Sequence, residues 1–138
     1  MPVARELWMI ATGTGLAPFV AMLTQAEGHA RVHERVYEDR LRYTRDLVRM
    51  GANINVAAFG PNDEILATSA EVFGPTPLHG ERVTALDIRS AVSLALAGLV
   101  ADGETELLEV YHIDRGYARF VEKFTALGAD LEDTFLSA

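Results

Sequence analysis

Three arginines that follow predicted strands lie within two positions of an aspartate, in the pairs Asp39–Arg40, Asp87–Arg89 and Asp114–Arg115. A carboxylate beside a guanidinium holds its donors in place, and the guanidinium can then bind a phosphate or carboxylate through two parallel hydrogen bonds. The same aspartates are suited to cap helices, which would leave the arginines as surface partners. The residues alone keep both interpretations open, anion binding and helix capping.

A second candidate is the turn Thr12, Gly13, Thr14 and Gly15, between a predicted strand at 6–12 and a predicted helix from about residue 17. Backbone amides at the start of a helix can receive a phosphate. A short glycine turn is a weak signal by itself. We therefore treat it as a possible phosphate turn.

Composition restricts the function further. The 138 residues, 49% of them hydrophobic, predict a single domain over 1–138 with its own core. A net charge of −8 argues against a general nucleic-acid binder. The chain has no cysteine, which excludes thiolate metal sites and a cysteine nucleophile within it, and the four histidines predict no metal site. No apolar run approaches a membrane span, so we expect a cytoplasmic protein.

The apolar pattern predicts an α/β chain. Further helices are expected at 17–26, 41–50, Ile88–Val100 and 117–127, and further strands at 31–37, 53–59, 64–68, 82–85, 104–111 and from 130. Asp87 is the expected cap of the helix Ile88–Val100, which is apolar nearly all round and should be central. The segment 111–117 lies where a strand ends and a helix begins, which is where open α/β folds bind ligands.

The sequence contains an internal repeat. Ala26-Glu27-Gly28 matches Ala101-Asp102-Gly103, and Asp39-Arg40 matches Asp114-Arg115, each 75 residues later. Met50-Gly51-Ala52 matches Leu127-Gly128-Ala129, 77 residues later. The units, about 16–59 and 87–134, each read as helix, strand, Asp-Arg, helix, Gly-Ala and strand. This predicts a duplicated supersecondary unit that packs against its copy, with helices covering a sheet.

Several stretches resemble one enzyme family. They include Val36-Tyr37-Glu38-Asp39-Arg40, Ala85-Leu86-Asp87-Ile88-Arg89 and Tyr111-His112-Ile113-Asp114-Arg115-Gly116-Tyr117, together with 23–28, 49–52 and 96–99. Over about 16–134 the chain resembles the C-terminal part of the UDP-N-acetylglucosamine enolpyruvyl transferases (1-carboxyvinyltransferases). The resemblance implies βαβαββ-type units of an inside-out α/β barrel, of which this chain would hold about two, incompletely.

The resemblance also implies a function. That family transfers the enolpyruvyl group of phosphoenolpyruvate to UDP-N-acetylglucosamine and releases phosphate, in peptidoglycan precursor synthesis, with no cofactor. By resemblance Arg115 would bind phosphoenolpyruvate, Asp87 and Arg89 would belong to the catalytic network, and Val36 and Arg40 would lie against the UDP-sugar. Arginines at such positions stabilise the charge that develops as phosphate leaves.

The chain departs from that family in three ways. The family's lysine–asparagine pair and its general-acid cysteine are absent, and Thr14 stands where the family has a sugar-binding aspartate. We therefore expect a fragment or chimera that catalyses little alone. Formation of a homodimer would bury the exposed flank of the partial barrel.

Residues 6–19 resemble a different family, the ferredoxin-NADP reductases, at their NADP-binding turn. This resemblance implies a composite chain in which 1–18 has a foreign origin and 19–138 is of enolpyruvyl-transferase type. The alternative is a native strand that drifted into the same pattern. Two further functions stay open at this point: a small NADP-binding module that uses the turn at 12–15, and a scaffold domain without a ligand.

Overall fold

The computed structural model describes residues 16–34, 41–58 and 68–134. Several predictions lie outside these residues: the strand at 6–12, the turn of Thr12, Gly13, Thr14 and Gly15, and the positions Val36 and Arg40. No helix in the described ranges is long and apolar enough to span a bilayer.

The described residues form both helices and strands, as expected for an α/β chain. The helices are α1 (Leu16–Leu23), α2 (Thr44–Arg49), α3 (Ile88–Val100), α4 (Tyr111–Gly116) and α5 (Phe120–Ala126). The strands are β1 (Gly28–Glu34), β2 (Asn53–Ala58), β3 (Thr68–Gly74), β4 (Arg82–Thr84) and β5 (Glu106–Leu108).

The first sheet has three antiparallel strands in the order β1-β3-β2. Its central strand places Val72 opposite Ala30 of β1 and Ile54 of β2, and the buried Val72 and Ile54 belong to the larger core. β2 and β3 pair antiparallel, as the predicted hairpin requires, while its turn lies outside the described residues. The second strand is Thr68–Gly74, whereas the sequence predicted 64–68.

The second sheet is smaller, with β4 parallel to β5 and Val83 opposite Leu107. The strand predicted at 104–111 is limited to Glu106–Leu108, because the backbone turns at Glu109, which has a positive φ of 63°. Residues 130–134, predicted as the start of a final strand, form none. The second sheet is therefore less complete than the first.

Helix α3 is central, as predicted, and has the predicted bounds. Leu94 and Ala97 on one side belong to the larger core, which also contains Leu47, Met50 and Val72. Ala91 and Val92 belong to a second core with Phe120. Helix α3 therefore contributes buried side chains to both cores. Full burial of one leucine side chain stabilises the folded state by about 2 kcal/mol.

Four glycines show the repeat in the backbone. Gly28 and Gly103, at equivalent positions, have φ values of 113° and 90°, and Gly51 and Gly128 have values of 107° and 100°. A glycine adopts a positive φ with little strain, so it ends a helix and redirects the chain. Each unit therefore leaves its helices through the same type of turn.

The segment 111–117 differs from its prediction. The sequence predicted a strand end followed by a helix from residue 117, but residues 111–116 form the short helix α4, and α5 begins only at Phe120. Arg119, with a φ of 56°, separates the two helices. The helical part of the second unit is thus broken in two.

Candidate functional site

Asp87 caps α3, as the sequence predicted. Its backbone is extended, and one carboxylate oxygen accepts hydrogen bonds from the backbone N–H groups of Arg89 and Ser90, both at 2.9 Å. The Ser90 hydroxyl in turn accepts a hydrogen bond from the backbone N–H of Asp87, also at 2.9 Å. This reciprocal capping box satisfies amides that the helix itself cannot pair.

The same carboxylate holds Arg89. Nη2 of Arg89 donates to the second oxygen of Asp87 at 2.5 Å, and the Arg89 side chain is only 12% exposed, compared with 40% for Asp87. A buried guanidinium needs a charged partner, because its desolvation is otherwise unfavourable. Capping and ion pairing therefore coexist at Asp87, which fixes the position of a nearly buried positive charge.

Asp87 is ionised at neutral pH. Burial raises the pKa of its carboxyl group, but hydrogen bonds from the Ser90 amide and from the guanidinium and amide of Arg89 outweigh that effect and lower the pKa below its ordinary value. Asp87 thus carries its negative charge beside the Arg89 guanidinium at physiological pH.

Tyr43 lies near this pair, and the sequence reasoning missed it. The residue is 3% exposed, and its hydroxyl has no hydrogen-bond partner within the described part of the chain. Burial raises the pKa of its phenol, the Arg89 charge lowers it, and the Glu34 and Asp87 charges raise it further. The sequence did contain an indication, because Tyr43, Leu47 and Met50 have the spacing of one helix face. A tyrosine on a buried face places its hydroxyl group in the interior.

Arg115 has a different environment. It lies in the last turn of α4, where it is exposed, and its guanidinium carbon is 5.6 Å from the centre of the Tyr111 ring. A cation over an aromatic face is weakly attracted to it. Asp114 does not cap this helix, because the cap position is Val110, which makes no side-chain capping bond. The capping interpretation of Asp114 is therefore wrong.

Gly116 brings the two arginine-bearing segments together. A Cβ atom added to Gly116 would lie 1.6 Å from Cδ1 of Ile88, the residue between Asp87 and Arg89. The end of α4 therefore packs directly on the start of α3. The fold places the Asp87–Arg89 pair, Tyr43 and the helix that carries Arg115 in one region. Val36 and Arg40 precede Tyr43 in the chain but lie outside the described residues.

The histidines of β1 serve structural contacts. The ring of His29 stacks on Phe73 with 4.5 Å between centres, and Nδ1 of His33 lies 2.5 Å from the Ser69 hydroxyl oxygen. Within 16–34, 41–58 and 68–134, no three potential ligand side chains come together in a way that would hold a metal ion.

Comparison with known proteins identifies relatives that align with most of the chain. The sequence model of the family described as EPSP synthase (3-phosphoshikimate 1-carboxyvinyltransferase) matches residues 7–124. The UDP-N-acetylglucosamine 1-carboxyvinyltransferase of Chlorobium phaeovibrioides is 44% identical over 116 residues, which are 84% of this chain and 25% of that protein. The protein of the same name from Koribacter versatilis is 45% identical, with the same coverage. The chain thus spans about a quarter of the length of these relatives.

Solved structures show the same relationship. The enolpyruvyl transferase NikO from Streptomyces tendae superposes with a TM-score of 0.71 at 36% identity, over 85% of this chain and 26% of that one. EPSP synthase from Acinetobacter baumannii gives a TM-score of 0.62 at 20% identity, over 88% of this chain and 27% of that one, which shows a shared fold. The expected fold, incomplete units of the enolpyruvyl transferase type, is confirmed.

The resemblance of residues 6–19 to an NADP-binding turn receives no support from these comparisons. The family match begins at residue 7 and so includes most of that segment. The resemblance over 16–134 is confirmed, since the family match covers most of the chain and relatives above 40% identity cover 84% of it. By sequence and by fold, this chain is a member of the enolpyruvyl transferase family.

Proposed function

We propose that this chain forms part of the phosphoenolpyruvate- and UDP-N-acetylglucosamine-binding surface of a UDP-N-acetylglucosamine 1-carboxyvinyltransferase, an enzyme of peptidoglycan precursor synthesis. The observation that carries the proposal is the nearly buried Arg89, held by a carboxylate that also caps α3. The names of the relatives at 44% and 45% identity support this substrate pair over others in the family.

The proposed chemistry is recognition of a small anion. Phosphoenolpyruvate presents a phosphate and a carboxylate, and guanidinium groups bind both through charge-assisted hydrogen bonds. Arg89 is immobilised by Asp87, while Arg115 on the adjoining helix is exposed and free of ion pairs to other described residues. In this proposal Arg115 binds phosphoenolpyruvate, and Asp87 with Arg89 forms the network beside it. Val36 and Arg40 lie against the UDP-sugar.

Turnover is proposed to require segments that this chain does not contain. The chain covers a quarter of its relatives and has no cysteine to act as the general acid that the resemblance implies. Arginines alone stabilise developing charge but do not supply the proton for an addition step. We therefore expect ligand binding without product formation.

A thermal-shift series tests the ligand class. Phosphoenolpyruvate, UDP-N-acetylglucosamine and NADP are each titrated against the 138-residue chain, because a ligand that binds only the folded state raises its Tm. We expect the first two to raise the Tm and NADP to leave it unchanged. Stabilisation by NADP alone would contradict the proposal and favour the turn of residues 12–15 as a nucleotide site.

Arg115→Ala tests the role of one side chain. Loss of a hydrogen bond to a charged group corresponds to about a tenfold or larger loss of affinity, so we expect at least about tenfold weaker phosphoenolpyruvate binding by calorimetry. The Tm of the free protein should hardly change, because Arg115 is exposed. Arg119→Ala is the matched control, an exposed arginine paired with Glu122. Equal affinities for both variants would remove Arg115 from the site.

A further inference from the structure

Tyr43 carries a polar group that the fold of the free protein does not use. The residue is 3% exposed, and its hydroxyl has no hydrogen-bond partner within the described part of the chain. An unpaired buried hydroxyl lowers stability, and a phenylalanine of nearly the same shape would avoid that loss. Because buried polar groups in folded proteins are nearly always paired, this hydroxyl should have a partner in another state of the protein.

Arg89 has hydrogen-bond donors to spare. A guanidinium carries several N–H groups, and among the described residues the side chain of Arg89 makes one hydrogen bond, from Nη2 to Asp87. The Arg89 side chain is 12% exposed, so water reaches only a small part of it. The remaining N–H groups of the guanidinium therefore have few partners in the free protein.

The fold places the two groups at neighbouring helix starts. Tyr43 directly precedes α2, α2 contacts α3, and Arg89 lies in the first turn of α3. Tyr43 also belongs to the same core as Leu94 and Ala97 of α3. Burial raises the pKa of the phenol and the Arg89 charge lowers it, so the guanidinium acts on the hydroxyl without being bonded to it.

We propose that Tyr43 is a positioning residue for Arg89, and that its phenol oxygen accepts an inner N–H of the guanidinium when an anionic ligand binds the outer N–H groups. The hydroxyl is buried and cannot reach a ligand itself, whereas part of Arg89 is exposed. A phosphate or carboxylate that accepts two parallel N–H groups sets the plane of a guanidinium. An acceptor on the inner side then holds that plane in place. The inference rests on the proposed function, which places phosphoenolpyruvate beside Arg89.

Ser93 provides a matched control on the same helix. The residue has no solvent exposure, and its hydroxyl is also unpaired within the described ranges. Helical side chains lean toward the N-terminus of their helix, so Arg89 extends toward Asp87 and away from Ser93, which lies one turn later. Ser93 therefore shares the buried, unpaired hydroxyl of Tyr43 but has no access to the guanidinium.

Anion binding by Tyr43→Phe tests the proposal. Phosphoenolpyruvate and inorganic phosphate are titrated by calorimetry into the parent chain, Tyr43→Phe and Ser93→Ala, and the Tm of each free protein is measured. We expect Tyr43→Phe to bind phosphoenolpyruvate about fivefold or more weakly, as for the loss of one hydrogen bond, with an unchanged or higher Tm. Ser93→Ala should keep the affinity of the parent chain. Equal affinities of Tyr43→Phe and the parent chain would overturn the proposal.

The Nε–H signal of Arg89 reports on the guanidinium directly. It is assigned in the isotope-labelled chain by its absence from Arg89→Lys. Phosphoenolpyruvate should slow its exchange with water in the parent chain, because the guanidinium is then held on both sides. In Tyr43→Phe the exchange should stay fast at saturating ligand, which a purely structural role of Tyr43 would not produce. Equally slow exchange in both proteins would contradict the positioning role.

A double-mutant cycle tests the pairing without a ligand. Asp87→Ser keeps a hydroxyl that caps α3 but is too short to hold Arg89, so the guanidinium should turn to Tyr43. Tyr43→Phe should then lower the urea midpoint in the Asp87→Ser background, although it leaves that of the parent chain unchanged or higher. Equal effects in the two backgrounds would show no coupling and would overturn the inference. Coupling without any binding of phosphoenolpyruvate to the parent chain would support the pairing and overturn the proposed function instead.

Discussion

The two repeated units share a chain pattern but differ in the completeness of their sheets. In the first sheet β3 lies between β1 and β2, and the larger core beneath it contains the fully buried Leu47, Met50 and Val72. In the second sheet β4 and β5 are the only strands that pair among the described residues, and Leu107 and Leu131 are partly exposed at the second core. A strand needs a neighbour to satisfy its backbone, so the same local pattern yields a strand in one unit and none in the other.

The two aspartates beside arginines show a similar contrast. Asp87 has an extended backbone at the start of α3, where its carboxylate reaches two amides. Asp114 already lies within the first turn of α4, where its side chain makes no cap. An aspartate caps a helix only from the residue just before it, so one pair became a fixed ion pair and the other did not.

The largest expected effect separates the two cores. Leu47→Ala should lower the free energy of unfolding by about 3 kcal/mol, as for other fully buried leucines, because Leu47 has no solvent exposure. Leu131→Ala at the margin of the second core should lower it by less than about 1 kcal/mol, because Leu131 is only partly buried and little packing is lost. Urea denaturation of both variants measures the difference, and equal losses would show that the second unit is packed as tightly as the first.

The next effect separates the two aspartates. Asp87→Ala should destabilise the protein by about 1–2 kcal/mol, because a cap is lost and Arg89 is left buried without its partner. Asp114→Ala should change stability by less than about 0.5 kcal/mol, as for other exposed positions. Asp87→Asn keeps an oxygen that can cap the helix but removes the charge, so its loss of stability should lie between those of Asp87→Ala and Asp114→Ala. The urea midpoints test this order, and a larger loss for Asp114→Ala would contradict it.

A pH series isolates the charge of Asp87. Its pKa in the folded protein lies below the ordinary 3.8, so the unfolded chain binds more protons near that pH. The stabilisation is fully present above the unfolded pKa and is lost as the pH falls through the lower, folded pKa. The Tm is measured from about pH 7 to about pH 2.5. Below pH 3.8 the Tm of Asp87→Asn should therefore fall less steeply with decreasing pH than the Tm of the parent chain. The same steepness in both proteins would contradict the assignment.

The smallest expected effect concerns the phenol of Tyr43 in the first unit. Tyr43→Phe removes a buried hydroxyl that has no partner among the described residues, so stability should stay equal or rise by up to about 1 kcal/mol. Tm measurements test the prediction. Leu47→Met, a volume-conserving change in the same core, is the control for packing alone. A loss above about 1 kcal/mol for Tyr43→Phe would show that the hydroxyl is hydrogen-bonded.

The features predicted well from the sequence depend on local hydrogen bonds. The bounds of α3 and the capping role of Asp87 were predicted correctly, because the capping signal and the apolar run are contiguous in the chain. The glycine turns at Gly28 and Gly103 were also visible, since each follows a helical pattern.

The features predicted poorly depend on distant neighbours or on single backbone angles. Residues 130–134 form no strand, and no strand within the described residues pairs with them. The sequence predicted a strand end and a later helix in the segment 111–117. The backbone instead turns at Glu109 and Arg119, which both have positive φ angles. A positive φ is uncommon in residues other than glycine, so the residue types did not indicate these turns. Tyr43 was missed because only the fold brings it near Arg89 and Asp87.

By itself the sequence determined the family, the duplicated unit, the central helix and the aspartate–arginine pairs, because each of these follows from residue types at short spacing. Only the tertiary structure decided that Asp87 and not Asp114 fixes an arginine, and that residues 130–134 form no strand beside β5. The physical reason is the same in both cases. Caps and sheet edges are satisfied by backbone groups whose positions depend on how distant segments pack.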